Sequence, residues 1–182
     1  MIRTIGRRPF LLATLALATA CGAPGRTVVG PRVSGERIAV MEFSTEGTRV
    51  AYSEPHETFG LALAEEVAEE LRKRHHDAVA VPAGGTLSAD VIVNGRMTRI
   101  DGCSRALRYW VGFGTGAAVF GAQGEVSKTD GTRMATFWDE HASGWGVFGG
   151  ASSTLLQKCL KRTGAEIAKM VDSGNYQQAP TP

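Results

Sequence analysis

The hydrophobic pattern of this chain changes character several times, and each change marks an element. Arg37-Ile38-Ala39-Val40-Met41-Glu42-Phe43 is a compact apolar run suited to a buried strand. A polar loop follows, and then helical periodicity. Phe59, Leu63, Val67 and Leu71 recur at every fourth position, while Glu65, Glu66, Glu69 and Glu70 occupy the other face. Ser53 is placed to cap this helix, with Glu54 and Glu57 in its first turn. Pro55 is tolerated there because first-turn amides lack intrahelical partners. Arg72-Lys73-Arg74 end the helix where cations offset its dipole, and Glu69–Lys73 and Glu70–Arg74 are favourable i,i+4 pairs. The Glu cluster reads as a solvated helix face.

Ala78 to Val81 forms a second short strand, stopped by Pro82 and Gly84-Gly85. Ala89 to Ile100 is a third, alternating after its apolar start, and Leu107 to Phe113 is a candidate fourth. Ala117–Ser127 and Arg133–Ala142 flank Thr129-Asp130-Gly131-Thr132, and Asp-Gly between strand-like runs signals a hairpin. A glycine-rich stretch, Gly144–Gly150, precedes a closing helix. There Leu156, Cys159, Leu160, Thr163, Ile167, Met170 and Val171 keep helical spacing. Thr154 with Gln157 fits a capping box, and Gly174 suits the C′ position. The order β-α-β-β-(β)-β-β-α predicts an α+β (mixed α/β) fold: a single sheet of about five strands with two helices packed on it.

Ahead of this body stands a different kind of segment. Arg3, Arg7 and Arg8 make a basic region, and Phe10 to Ala20 is an apolar run closing on Ala18-Thr19-Ala20. A short apolar core with a small-residue cleavage zone predicts a secretory signal peptide over residues 1–20. Cys21 at the cleavage point resembles the lipobox of bacterial lipoproteins, which implies a thiol carrying lipid, palmitate among its acyl chains, at the mature N-terminus. Gly22, rather than Asp, then points to the outer membrane, with the body on the periplasmic side. Gly6-Arg7-Arg8-Pro9-Phe10-Leu11-Leu12 also resembles a twin-arginine export signal, while plain n-region charge explains the same arginines. Residues 21–35 are dense in Gly and Pro and read as the lipidated cysteine with a flexible tether. Residues 36–173 form a single globular domain, and 174–182 a flexible tail.

The signal accounts for the basic balance. Without residues 1–20 and their three arginines, a formal charge of +2 becomes −1, 17 basic residues against 18 acidic. No Lys/Arg stripe remains, so nucleic acid is not an expected partner. With Cys21 lipidated, Cys103 and Cys159 are an even pair in an oxidising compartment. They could form a disulfide closing a long loop, or remain two free thiols with Cys159 on a helix's apolar face.

Signals for chemistry are weak. Gly112-Phe113-Gly114-Thr115-Gly116-Ala117 matches the G-x-G-x-x-G/A pattern only superficially. The dinucleotide loop must open a helix, and here a Gly-rich, strand-like run follows, so no cofactor is expected. Ala106 to Ala122 is almost all apolar or Gly, but Arg108 interrupts it and the glycines make a poor spanning helix; two core strands explain it. Tyr109, Trp110, Gly112, Phe113, Gly114, Gly116, Trp145 and Phe148 are a candidate interaction loop, with core packing as the other use of the aromatics. His56, His75, His76 and His141 are expected at the surface, none in a spacing that suits a metal. No nucleophile signature is present, and an enzyme is not expected.

Leu107-Arg108-Tyr109-Trp110-Val111-Gly112-Phe113-Gly114-Thr115-Gly116, the Asp130-Gly131 hairpin and the Gly144–Gly150 stretch resemble an uncharacterised family of small bacterial lipoproteins, known as a domain of unknown function. Ile38–Phe43 and Ala89–Gly95 extend the likeness to the N-terminal domain of TolB, the curli-secretion channel lipoprotein and the LpoB-type activators of peptidoglycan synthases. The resemblance implies a non-catalytic assembly or scaffolding role in the cell envelope, through self-association or an envelope protein partner. It transfers no catalytic residues. A secretion channel does not follow, because the chain has no room for long membrane hairpins. A small-molecule or glycan-binding module, with its cleft beside Gly112–Gly116, is the other function class the chain allows.

Overall fold

Helical and strand patterns meet in a two-layer arrangement, in which two helices cover one face of a mixed sheet and leave the other face open. The computed structural model describes residues 26–51, 57–86, 88–102, 117–143 and 152–180. In chain order these form β1 (Arg26–Val29), β2 (Arg37–Met41), β3 (Arg49–Ala51), α1 (Phe59–Lys73), β4 (Asp77–Val81), β5 (Val91–Asp101), β6 (Ala118–Lys128), β7 (Arg133–Ser143), α2 (Ser152–Ser173) and β8 (Asn175–Gln178). The main sheet runs β4-β2-β5-β6-β7, with β3 also against β5. Pairing is parallel for β2–β4, β2–β5 and β3–β5, and antiparallel through β5–β6–β7. The fold is α+β as expected, with six strands in the sheet and a separate two-stranded ribbon of β1 and β8.

The predicted faces account for the core. α1 buries Gly60, Leu63, Ala64, Val67, Ala68 and Leu71, and its Lys73 bridges Glu69 and Glu70 at 2.9 and 2.8 Å on the solvent side. α2 buries Leu156, Cys159, Ile167 and Val171 against the same sheet face. The helices also touch each other closely: a Cβ on Gly164 would stand 2.6 Å from Glu66 Cγ. His76, its side chain 7 % exposed, joins the end of α1 to that of α2 through Asp172 at 3.0 Å. The surface expectation for this histidine is thereby corrected.

In β5 a bulge between Met97 and Arg99 shifts the alternation, so that Met97 and Ile100 both face the helices although three positions separate them. Arg96, Arg99 and Asp101 are left on the open face, opposite Gln123, Gly121 and Val119 of β6. Two glycines, Gly95 and Gly124, stand directly across from each other in β5 and β6. The rings of Phe43 and Phe137 lie over them, 6.3 Å apart between centroids. A Cβ on Gly124 would meet Phe137 Cζ at 2.6 Å and press on the Asn94 carbonyl.

Four local expectations differ from the structure. α1 begins at Phe59 with Thr58 as N-cap, making no side-chain cap bond; Ser53, Glu54 and Pro55 lie outside the described residues. Thr154 sits inside the first turn of α2 rather than at its cap. The stretch read as tether includes β1 and the buried Val33, and the stretch read as a tail includes β8. The cause is Tyr176. Its ring is fully buried against Gly30 and its hydroxyl donates to the Pro31 carbonyl at 3.2 Å, so burial of one large side chain orders both ends. Gly174 makes the turn possible with φ 71° and an N–H donated to Met170 O at 2.9 Å, the C′ role expected of it.

Gly124→Ala is expected to destabilise the domain by about 1–3 kcal/mol, because neither the Phe137 ring nor the strand backbone can yield freely. Chemical denaturation of the variant checks this; an unchanged midpoint would mean that the aromatic cover is loose.

Candidate functional site

Most residues singled out for function fall where nothing structural is described: Cys21, Cys103, Tyr109, Trp110, Gly112, Phe113, Gly114, Gly116, Trp145 and Phe148 lie outside the described residues. Their flanks do come together. Asp101 pairs with Val119 and Ala118 with Ser143, so the chain enters and leaves 103–116, and enters 144–151, at one end of the sheet. Cys159 is a free, buried thiol that donates to the Ala118 carbonyl at 3.5 Å, and burial raises its pKa.

The open sheet face carries the first described polar cluster. With its amide turned to satisfy both groups, Gln123 accepts from Arg96 Nη2 and Nε at 3.0 and 3.1 Å. Arg133 Nε lies 2.8 Å from Glu125, and Arg99 reaches Asp101 at 3.1 Å and Glu140 at 3.5 Å. The last contact crosses Gly121, which stands in register between Arg99 and Glu140 and has no side chain to block it. Arg96, Gln123, Glu125, Arg133 and Trp138 line an open cleft of about 590 Å³, closed on one side by Gln178. The glycine motif beside which a cleft was expected lies outside the described residues.

A second cluster is buried between β7 and α2. Asp139 faces the helices from the same side of β7 as Phe137, and its side chain is only 5 % exposed. Its Oδ2 lies 3.3 Å from His141 Nε2, yet neither atom completes a hydrogen bond. Thr163 Oγ, fully buried on α2, is near enough to favour the ionised carboxylate, also without a completed hydrogen bond. Burial dominates, and it pushes the Asp139 carboxyl up to about 7, with Thr163 and Arg162 opposing and Glu166 and Glu140 assisting. The same burial, and then Arg162, lowers His141, which is not the surface residue expected. The available sequence signal was a carboxylate at an apolar-face position of a strand.

The strand edges are the third feature. Val28 (41 % exposed), Val29 (80 %), Val50 (36 %) and Val79 (40 %) are the exposed large hydrophobics among the described residues. Each lies on a strand, β1, β3 or β4, that among the described residues pairs with a strand on one side only. β7 is treated differently, since Thr136 and Gln178 exchange hydrogen bonds across its outer edge. No described helix is long and apolar enough to cross a membrane.

A family model described as a domain of unknown function (DUF4410) matches residues 50–179. No curated protein matches the sequence. Among solved structures, a PelC dodecamer from Paraburkholderia phytofirmans aligns at 16% identity and TM-score 0.55, over 79% of this chain and 95% of that one. A point variant of that dodecamer aligns at 20% identity and TM-score 0.51 over the same shares. At such identity the likeness is one of fold.

Asp139 sets a pH dependence. A carboxyl raised from 3.8 to about 7 binds its proton more tightly folded than unfolded, so its contribution to stability falls as pH rises through that window. His141, lowered, works in the opposite sense and loses stability as pH falls below its ordinary 6.5. Asp139→Asn removes only the first effect. The variant is expected to gain on wild type in thermal unfolding from about pH 4 to about pH 8. A constant difference across that range would mean that Asp139 does not titrate there.

Proposed function

We propose, for a chain that belongs to the DUF4410 family of unknown function, a lipid-anchored, non-catalytic assembly component of the cell envelope that works through contacts between copies of itself. The observation that carries the reading is the placement of Val28, Val29, Val50 and Val79. A soluble domain protects strand edges with charge, proline or a covering segment, because a free apolar edge invites pairing. Among the described residues, β7 is covered by β8 and β4 is met by Arg72 at the Ala78 carbonyl, 2.8 Å away, while the valines of β1, β3 and β4 stay exposed. The dodecameric state named for PelC, a protein of similar fold, supports self-association. The signal-like segment and Cys21 support an anchor on the periplasmic side of the outer membrane, with Arg3, Arg7 and Arg8 feeding export.

A second reading rests on the open-face cleft. Trp138 beside the planar polar groups of Arg96 and Gln123 is a surface that would suit a glycan or small polar ligand, binding through ring stacking and paired hydrogen bonds. It requires a monomer or an assembly that keeps this face open.

The full-length protein extracted in detergent is expected to sediment as an oligomer, and a monomer would overturn the assembly reading. Cys21→Ala is expected to release the protein from the membrane fraction. Retention of that variant in membranes would remove the anchor from the reading.

A further inference from the structure

We infer that the open-face cleft is a site for an acidic glycan, one sugar ring lying on Trp138 and the carboxylate of a neighbouring unit paired with Arg96. This assignment rests on the cleft being a glycan or polar-ligand site, and adds the charge of the ligand. Strand register sets the layout. Arg96 of β5 stands opposite Gln123 of β6, and Gln123 opposite Trp138 of β7, so the three side chains form one row across the sheet. Neighbouring strands lie about 4.8 Å apart, which puts Trp138 about 10 Å from Arg96 with Gln123 between them. That spacing suits successive units of a chain crossing the strands better than a single ring. The adjoining row, Asn94, Glu125 and Thr136, supplies amide, carboxylate and hydroxyl partners for sugar hydroxyls.

Charge selects the acid. The charged side chains lining the cleft are Arg96, Arg133 and Glu125. Arg133 Nε is bonded to Glu125 at 2.8 Å, whereas Arg96 makes no ion pair among the described residues. One positive charge is therefore left over. Gln123 holds the Arg96 guanidinium through Nη2 and Nε, and the remaining N–H groups are left for another acceptor. A cation fixed by a neutral amide takes up an anion without first breaking an ion pair, and a carboxylate matches the planar fork of arginine. Trp138 is half-buried, which holds its ring in place to offer an apolar face to the C–H side of a sugar. A neutral glycan would use the ring and leave the charge unanswered.

The test is titration calorimetry of the full-length protein in detergent with tetramers of galacturonate and of mannuronate, against the methyl esters of the same tetramers. The esters keep every ring face and lose the charge. The acids are expected to bind about tenfold more tightly than the esters at low salt, and the preference to shrink as salt is raised. Arg96→Gln, a change at an exposed position, is expected to bind acid and ester alike, at the affinity of the ester. Trp138→Leu is expected to weaken acid and ester together, and unchanged binding would remove the ring from the site. Equal affinity of acid and ester for the unsubstituted protein would overturn the acidic class and leave the cleft a glycan site. An acid preference that survives Arg96→Gln would put the carboxylate elsewhere and overturn the assignment. Binding of none of the probes would overturn both the assignment and the glycan reading beneath it.

Discussion

The Gly95–Gly124 pair is the constraint on which the rest of the domain depends. Two residues without side chains face each other across β5 and β6, so the sheet there offers bare backbone to the helix side. Phe43, just past β2, and Phe137, on β7, fill that space with their rings. Strands from both halves of the sheet are thereby fastened over its centre. α1 joins the same point through Gly60, whose carbonyl accepts from the Phe43 amide at 3.3 Å and which sits against the Phe43 carbonyl. A side chain at any of the three glycines would separate layers that now touch, because close-packed interiors have little slack.

Around that centre, the two sheet faces divide the chemistry. The helix face is apolar except at Asp139, His141 and Thr163, whose buried polar atoms are only partly satisfied. An ionised carboxylate is penalised there by desolvation, which raises the pKa of the Asp139 carboxyl between β7 and α2. The open face holds paired charges instead: Arg99 with Asp101 and Glu140, Arg133 with Glu125. Such exposed pairs add little stability. They keep a long sheet face wet, and with Trp138 they leave a surface able to take a polar ligand.

Membership of DUF4410 and the fold shared with PelC describe an architecture and not a function. A fold can host unrelated functions, and surfaces distinguish one from another. On this chain they are edges: β7 is covered by residues just after the last helix, while among the described residues β1, β3 and β4 keep exposed valines.

Periodicity alone determined much of this protein. The 3.6-residue spacing of Phe59, Leu63, Val67 and Leu71, the apolar run of Ile38–Val40 and the Asp130-Gly131 turn each specify a local element, because each is a property of neighbours in the chain. The α+β class follows from their order. Contacts between distant residues could not be read in that way. The bulge that turns both Met97 and Ile100 inward is set by β6, and the ordering of β1 and β8 is set by the burial of Tyr176. The meeting of Asp139 with Thr163 needs the packing of α2 on β7. That the exposed valines of β1 and β4 lie at the margins of the fold follows only once strand order is known. Sequence spacing carries local geometry; which edge is covered, and which charge is buried, depends on segments far apart in the chain, and only the tertiary structure decided it.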